Sequence, residues 1–306
     1  MWNTRVFTPV FGVYDADAKK DEIMKNIPQI SVLMSVYNQK KPEQLEAAIQ
    51  SVLKQTFTDF EFIIYNDGSD EETSARLQKY IDVDKRIRLI EDEVNRGLAY
   101  SLNACIDVAK GKYLARMDDD DICDPDRFMV QYDYLERHKD IALVGCNAKL
   151  IDDKGVWGIR QMPEYPDETS FLRFSPFIHP TVMIRREVLE ATNGYNASKE
   201  TLRCEDYELF MRLWKEGYKG YNIQLDLFSY REERTSYKKR KFKYRMDEMR
   251  LRYRNFKELG LLFPFGWVYV LRPVLAAFVP GTFILQMKKM KHLQDKKYER
   301  KQIETT

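Results

Sequence analysis

Lys112–Asp121 reads KYLARMDDDD, an apolar run interrupted by one arginine and closed by four consecutive aspartates. Such a run suits a strand and is too short for a helix, so the carboxylates fall at a strand's carboxyl end. Upstream the same form occurs twice: Ile30–Val36 (ISVLMSV) ends in Tyr37-Asn38, and Phe60–Tyr65 (FEFIIY) ends in Asn66-Asp67-Gly68-Ser69. Between these two, Leu45, Ala48, Ile49, Val52 and Leu53 take helical spacing within Pro42–Gln55, with proline in the first turn. Glu72–Ile81, Leu98–Ala109 and Arg127–His138 read as further helices, Ile87–Ile90 and Ile141–Gly145 as further strands. The alternation predicts an α/β fold, a Rossmann-like and mostly parallel sheet with helices on both faces. Ligands bind beyond the carboxyl ends of such strands, where the three polar strand ends converge.

After Leu150 the rhythm loosens at Gly155, Gly158, Pro163 and Pro166, followed by HPTVMIRREVL (His179–Leu189). Glu205-Asp206 then heads an amphipathic helix, Tyr207–Lys215, with Leu209, Phe210 and Leu213 on one face; Gly217 stops it, and Tyr218–Leu227 reads as a strand.

The chain has 306 residues, 44% hydrophobic and 13% aromatic, enough for one large or two modest packed domains and unlike a disordered chain. Its four cysteines lie far apart with no CxxC pair, which argues against a disulfide scaffold or structural zinc and for a reducing compartment. Met1–Ile30 lacks an apolar core of the secretory type, so no secretory signal is expected. The net charge of +2 hides an asymmetry: Arg231–Lys257 holds 12 Lys/Arg against 4 Asp/Glu, and Met287–Lys301 holds 7 against 2. Between them lies Leu259–Gln286, rich in Leu, Phe, Val and Trp but broken by Pro264, Pro273 and Pro280 and centred on Arg272. A spanning helix wants about 20 uninterrupted apolar residues, and arginine at mid-bilayer costs at least ~2.5 kcal/mol. The expectation is a segment lying in the membrane interface, its basic flanks meeting anionic lipid. The alternative is a helical hairpin packed on the body.

The aspartate run carries the chemistry. Four adjacent carboxylates repel one another, and a hard divalent cation, Mn²⁺ or Mg²⁺, relieves that repulsion while a nucleotide diphosphate completes its oxygen shell. The plainer alternative is a solvated acidic turn ahead of the helix at Pro125.

Six stretches in order, SVYN (Ser35–Asn38), NDGS (Asn66–Ser69), NRGLAYSLN (Asn95–Asn103), ARMDDDDICDPDRF (Ala115–Phe128), HPTVMIRR (His179–Arg186) and CEDYELFMRLW (Cys204–Trp214), resemble the family 2 glycosyltransferases. The likeness is to the bacterial branch that extends lipid-linked polysaccharide units, and it spans Ile30 to about Tyr237. It implies a GT-A fold, an inverting mechanism and a divalent cation. By the same resemblance Val36, Tyr37 and Asn38 hold the nucleobase end of the donor, Asp67 accepts from uracil N–H, and Arg96 neutralises phosphate. Asp118 and Asp120 match the family's paired metal carboxylates, Asp120 being the direct ligand. Asp119 stands where the family often has a small residue, and Asp121 braces the site or touches the donor sugar. His179 lines the acceptor pocket or donates to a phosphate, and Arg231 meets the diphosphate. Asp206, with Glu205 beside it, is assigned the general base. A sugar hydroxyl attacking an anomeric carbon needs a carboxylate within hydrogen-bond reach to take its proton. Simple stabilisation of the first helical turn is the alternative for both acids.

These readings divide the chain into an extension (1–29), a glycosyltransferase domain (30–237, with a nucleotide-binding half 30–121 and an acceptor half 122–237) and a membrane-associating region (238–306). The expected donor is a UDP-sugar and the expected acceptor a polyprenyl-diphosphate-linked saccharide, on the cytoplasmic face of the cell membrane, with anionic lipid as a partner and no nucleic acid. A nucleotidyltransferase, which would release pyrophosphate from a nucleoside triphosphate, shares the Asp-rich strand end. A non-catalytic membrane scaffold would explain the basic tail but not the two acidic groups.

Overall fold

The structure, a computed structural model, describes residues 27–233 and 241–279. Nearly all of the expected N-terminal extension, the end of the apolar segment and the second basic run lie outside those residues. Strands β1 (Ile30–Val36), β2 (Phe60–Asp67), β3 (Ile87–Asp92) and β4 (Tyr113–Met117) pair in parallel in the spatial order β3-β2-β1-β4. They are joined by α1 (Pro42–Leu53), α2 (Glu71–Ile81) and α3 (Leu98–Val108). Both faces of β1 are covered, which explains its unbroken apolar sequence: Val32 and Met34 pack with Leu45, Ile49 and Phe128, whereas Leu33 packs with Leu102, Cys105 and Phe210. Each such buried side chain contributes about 1.5–3 kcal/mol. With β2 on one side of β1 and β4 on the other, the chain changes direction across the sheet between β1 and β4. The crevice at their carboxyl ends is therefore the topological switch point.

Beyond β4 come β5 (Ile122–Cys123), α4 (Arg127–Arg137), β6 (Ile141–Asp152), β7 (Gly155–Arg160), β8 (Met183–Arg185), α5 (Arg186–Ala191), α6 (Glu205–Lys215) and β9 (Lys219–Arg231). Here the mostly parallel expectation needs correction, because β8 runs antiparallel to β4 and β6, β7 to β6, and β5 to β9, while β6 and β9 are parallel. The cause is local: a 3₁₀ turn at His179–Thr181 reverses the chain into the three-residue β8. That reversal also sets His179 at the carboxyl edge of β4, since Ala115 pairs with Met183. The region read as loose after Leu150 is a hairpin, β6–β7, bulged at Leu150/Ile151. All four cysteines are buried and free.

Helix α7 (Phe242–Glu258) buries Leu251 and Phe256 against α6, and α8 (Gly266–Leu275) folds back along α7. Val270 and Pro273 of α8 face inward, and Arg272 donates to the Arg173 carbonyl. Phe265, Val268, Leu275 and Phe278 stay exposed. Over its described residues the apolar segment is a packed hairpin, the alternative expectation, and it leaves one apolar side exposed. No helix among the described residues is long and apolar enough to cross a membrane.

Candidate active site

Asp67 ends β2 and is 2% exposed, yet both its oxygens are hydrogen-bonded: they accept from the backbone N–H of Arg96 (2.7 Å) and of Gly97 (2.9 Å). The NDG and NRG motifs are therefore one unit. Gly68, at φ +66°, permits it, because an added Cβ would lie 2.6 Å from the backbone of Val94 and Asn95. Arg96 departs from its expected role in one respect. Its guanidinium turns to Asp92 (Nε to Oδ2, 2.6 Å) and stacks 5.0 Å from the Tyr100 ring centre, so its backbone and not its charge serves the crevice. Asn38, at φ +48°, is a brace: its N–H donates to Ser69 Oγ (3.0 Å) and its Oδ1 accepts from Asp70 N–H (2.7 Å). Val36 is buried beneath that brace, and half-exposed Tyr37 lines the crevice together with Asp67.

The aspartates leave β4 on a tight turn. Asp118 is paired with Arg116, a nearly fully buried strand residue whose Nε has no partner. Asp121 is 1% exposed; one oxygen accepts from Arg231 N–H (2.6 Å) and the other, Oδ2, has no hydrogen bond. Arg231 also donates from Nε to the Asp120 carbonyl (2.9 Å) and from Nη1 to Asp153 (3.3 Å). It thus fastens the turn from behind and does not line the cavity, which places it apart from its expected contact with diphosphate. Withdrawal from water and the charges of Asp120 and Asp118 push the Asp119 carboxyl up to about 7. Burial and Asp118 push Asp120 up to about 6 against the pull of Arg231, and burial raises Asp121 well above the usual carboxylate range. Uncompensated negative charge and an orphaned buried oxygen are what a cation would relieve, so the residues fit one. Among the described residues no three ligating groups stand as a ready-made cage, so a bound ion would draw the rest of its shell from substrate oxygens and water.

Opposite stands a wall assembled from distant segments. His179 Nε2 is 2.7 Å from the Tyr195 hydroxyl, and burial followed by the charge of Arg116 holds its imidazole well below the usual histidine range, hence neutral. Tyr195 is tethered by Asn103 of α3, which donates to its carbonyl (2.8 Å) and accepts from its N–H (2.8 Å). Asp206, half-buried, and Glu205, buried, open α6; Glu205 accepts from Arg203 N–H (2.9 Å). Tyr37, Asp67, Asp118, Asp119, His179 and Asp206 all line a single cavity of about 1680 Å³.

Several residues in or behind the cavity wall went unread in the sequence. Arg116 sits inside an apolar strand, and no spacing rule marks a buried arginine there. Tyr195 is a lone aromatic in a loop. Trp157 and Arg160 belong to a strand that its glycines disguise; Trp157 donates to the Glu232 carbonyl (2.8 Å) and Arg160 pairs with the Glu232 carboxylate.

The sequence model described as glycosyl transferase family 2 matches residues 31–192. A Bacillus subtilis (strain 168) protein described as a glycosyltransferase, EpsE, is 33% identical over 274 residues, 89% of this chain and 98% of that one. The UDP-Gal:alpha-D-GlcNAc-diphosphoundecaprenol beta-1,3-galactosyltransferase of Escherichia coli is 28% identical, covering 84% of this chain and 94% of its own. Among solved structures, the mannosyltransferase PcManGT from Pyrobaculum calidifontis, in complex with GDP-Man and Mn²⁺, superposes with a TM-score of 0.56. That match has 15% identity over 87% of this chain and 81% of the other, and it speaks for the fold. With a mixed α/β sheet of GT-A type and these relatives, the chain belongs to glycosyltransferase family 2 and is a glycosyltransferase.

Proposed function

We propose that the protein is a metal-dependent, inverting transferase that moves a sugar from a UDP-sugar to a hydroxyl of a polyprenyl-diphosphate-linked saccharide during cell-surface polysaccharide synthesis. The observation that carries this reading is the opening of the aspartate turn and the Glu205-Asp206 helix head onto one cavity at the switch point. The coli relative's name, with its UDP-Gal donor and diphosphoundecaprenol acceptor, supports the substrate pair, and the Mn²⁺ of the mannosyltransferase complex supports the cation.

In this mechanism Tyr37 and Asp67 receive the nucleobase, Asp67 through the lone pairs left beside its two backbone bonds. Asp118 and Asp120 are the carboxylates that would hold the cation, and Arg231 keeps their turn in place from outside. When bound, Mn²⁺ or Mg²⁺ supplies positive charge to the leaving diphosphate. Asp206 takes the proton from the acceptor hydroxyl as that oxygen attacks the anomeric carbon, on the face away from the diphosphate. Glu205, fixed by Arg203 N–H, holds the helix head that aims Asp206. Neutral His179, bonded to Tyr195, offers a hydrogen bond to the acceptor without adding charge. The exposed side of α8 and the basic α7 would set this cavity at the inner membrane face, where a lipid-borne acceptor arrives.

A panel of nucleotide-sugars with Mn²⁺ and Mg²⁺ tests the reading. It predicts metal-dependent release of UDP; turnover of a nucleoside triphosphate to pyrophosphate, or transfer insensitive to chelator, would refute it. For the membrane part, Phe265→Ser combined with Phe278→Ser should reduce sedimentation with anionic vesicles, and unchanged sedimentation would count against it.

A further inference from the structure

Among the described residues three arginines line the cavity, and they are not equivalent. Arg116 is matched by Asp118 and Arg160 by Glu232. Arg203 is exposed, and its guanidinium has no hydrogen-bond or ion-pair partner among the described residues; only its backbone N–H is engaged, by Glu205. Its backbone lies at φ +74°, in the left-handed region, where a non-glycine residue is uncommon and strained. The fold thus accepts strain to hold an unmatched cation three residues before the proposed base, inside the reaction cavity. A charge so placed suits an anion that arrives with the substrate.

The surroundings indicate which anion. The quartet's charge is offset in part by Arg116 and Arg231, on the β4 side of the cavity, whereas Arg203 adjoins the acid pair on α6. The lining also includes apolar side chains, Leu202 next to Arg203 in the chain and 38% exposed, and Phe174, 52% exposed. The segment bearing Phe174 is joined to α8, because Arg272 donates to the Arg173 carbonyl. One cavity thus brings together the acid pair, a guanidinium unpaired among the described residues and exposed apolar side chains, and the segment bearing Phe174 connects it to α8. That combination suits a molecule whose reacting sugar is followed by a diphosphate and then by hydrocarbon.

We propose that Arg203 is the binding residue for the acceptor's own diphosphate, with Leu202 and Phe174 carrying the first carbons of its lipid. The inference rests on the lipid-diphosphate acceptor of the preceding reading, and it assigns to this subsite a phosphate distinct from the donor's. Atoms of the donor are not involved, so the effect should appear in acceptor kinetics.

The test compares two acceptors that carry the same sugar, one on a polyprenyl diphosphate and one on a simple alkyl chain, in wild type, Arg203→Gln and Arg203→Lys. Arg203→Gln should lower the ratio of kcat/KM for the diphosphate acceptor to that for the alkyl glycoside by about 10- to 100-fold, the effect of losing a charge-assisted hydrogen bond. The change should lie in acceptor KM, and Arg203→Lys should recover part of it. Wild type indifferent to the diphosphate would overturn the acceptor reading and this subsite together. A wild type that prefers the diphosphate, with the preference intact in Arg203→Gln, would overturn the subsite alone. A shift confined to donor KM would assign the arginine to the nucleotide-sugar and equally overturn it.

Discussion

On the wall formed by β1, β2 and β4, the site residues sit at strand ends or in the turns that follow them, Tyr37 after β1, Asp67 closing β2 and the quartet after β4. On the facing wall His179, Tyr195 and Asp206 come from a 3₁₀ turn, a loop and a helix head, the first two linked to each other and to α3 by the Tyr195–His179 and Asn103–Tyr195 bonds. The first wall is positioned by a continuous backbone ladder, whose parallel register places β1, β2 and β4 ends side by side. The second is positioned by a few side chains, each of which can be removed singly. In the proposed mechanism donor recognition would thus rest on stiff backbone and catalysis on adjustable contacts. Perturbing the second wall should impair turnover and leave nucleotide binding largely intact.

The sharpest test of that division is Asp206→Asn, which should reduce kcat by about 10²–10⁴-fold while stabilisation of the protein by UDP and Mn²⁺ on heating persists. Retained turnover would remove the base assignment. Next comes Arg127→Met. Arg127 is fully buried and donates to the Arg116 carbonyl (3.0 Å), the Val182 carbonyl (3.3 Å) and Gln131 (3.0 Å), stitching β4 to the turn that carries His179. Its loss leaves buried acceptors unmatched and should cost about 3–5 kcal/mol of stability in denaturant titration; a change below ~1 kcal/mol would show that the two walls hold without it. Asn103→Ala releases Tyr195 and should cost about 1–3 kcal/mol, with kcat falling more than donor KM rises. An equal change in both constants would deny the separation of roles.

His179 gives the smallest effect. Its folded pKa is depressed, so its contribution to stability is present above the unfolded value of about 6.5 and is lost as pH falls below it, at up to about 1.4 kcal/mol per pH unit. His179→Asn should flatten the fall in stability between about pH 6.5 and 5; an unaltered slope would mean the imidazole is already charged in the fold.

The same contrast explains what could be read from the sequence. β1, α1, β2 and the quartet were legible because burial on both faces imposes unbroken apolar runs, and helical spacing is periodic. β6 appeared to end at Gly145 yet continues to Asp152, since its later residues alternate in character as they pair with β7 and β9. β7 was hidden by Gly155 and Gly158. The polarity of β8 was unreadable because a three-residue strand has no pattern of its own. Glu205-Asp206 was legible as a helix head, but the Tyr195 and Arg116 that surround it depend on contacts between segments 79 residues apart in the chain.

In the proposed mechanism a divalent cation held by the aspartate turn would in turn hold the donor diphosphate. Calorimetric titration of UDP into the protein, with Mn²⁺ or with EDTA, for wild type and Asp120→Asn, addresses it directly. The account predicts tight binding by wild type with Mn²⁺, and weak binding both with EDTA and for Asp120→Asn. UDP affinity that is the same in EDTA, or that keeps its Mn²⁺ dependence in Asp120→Asn, would contradict it.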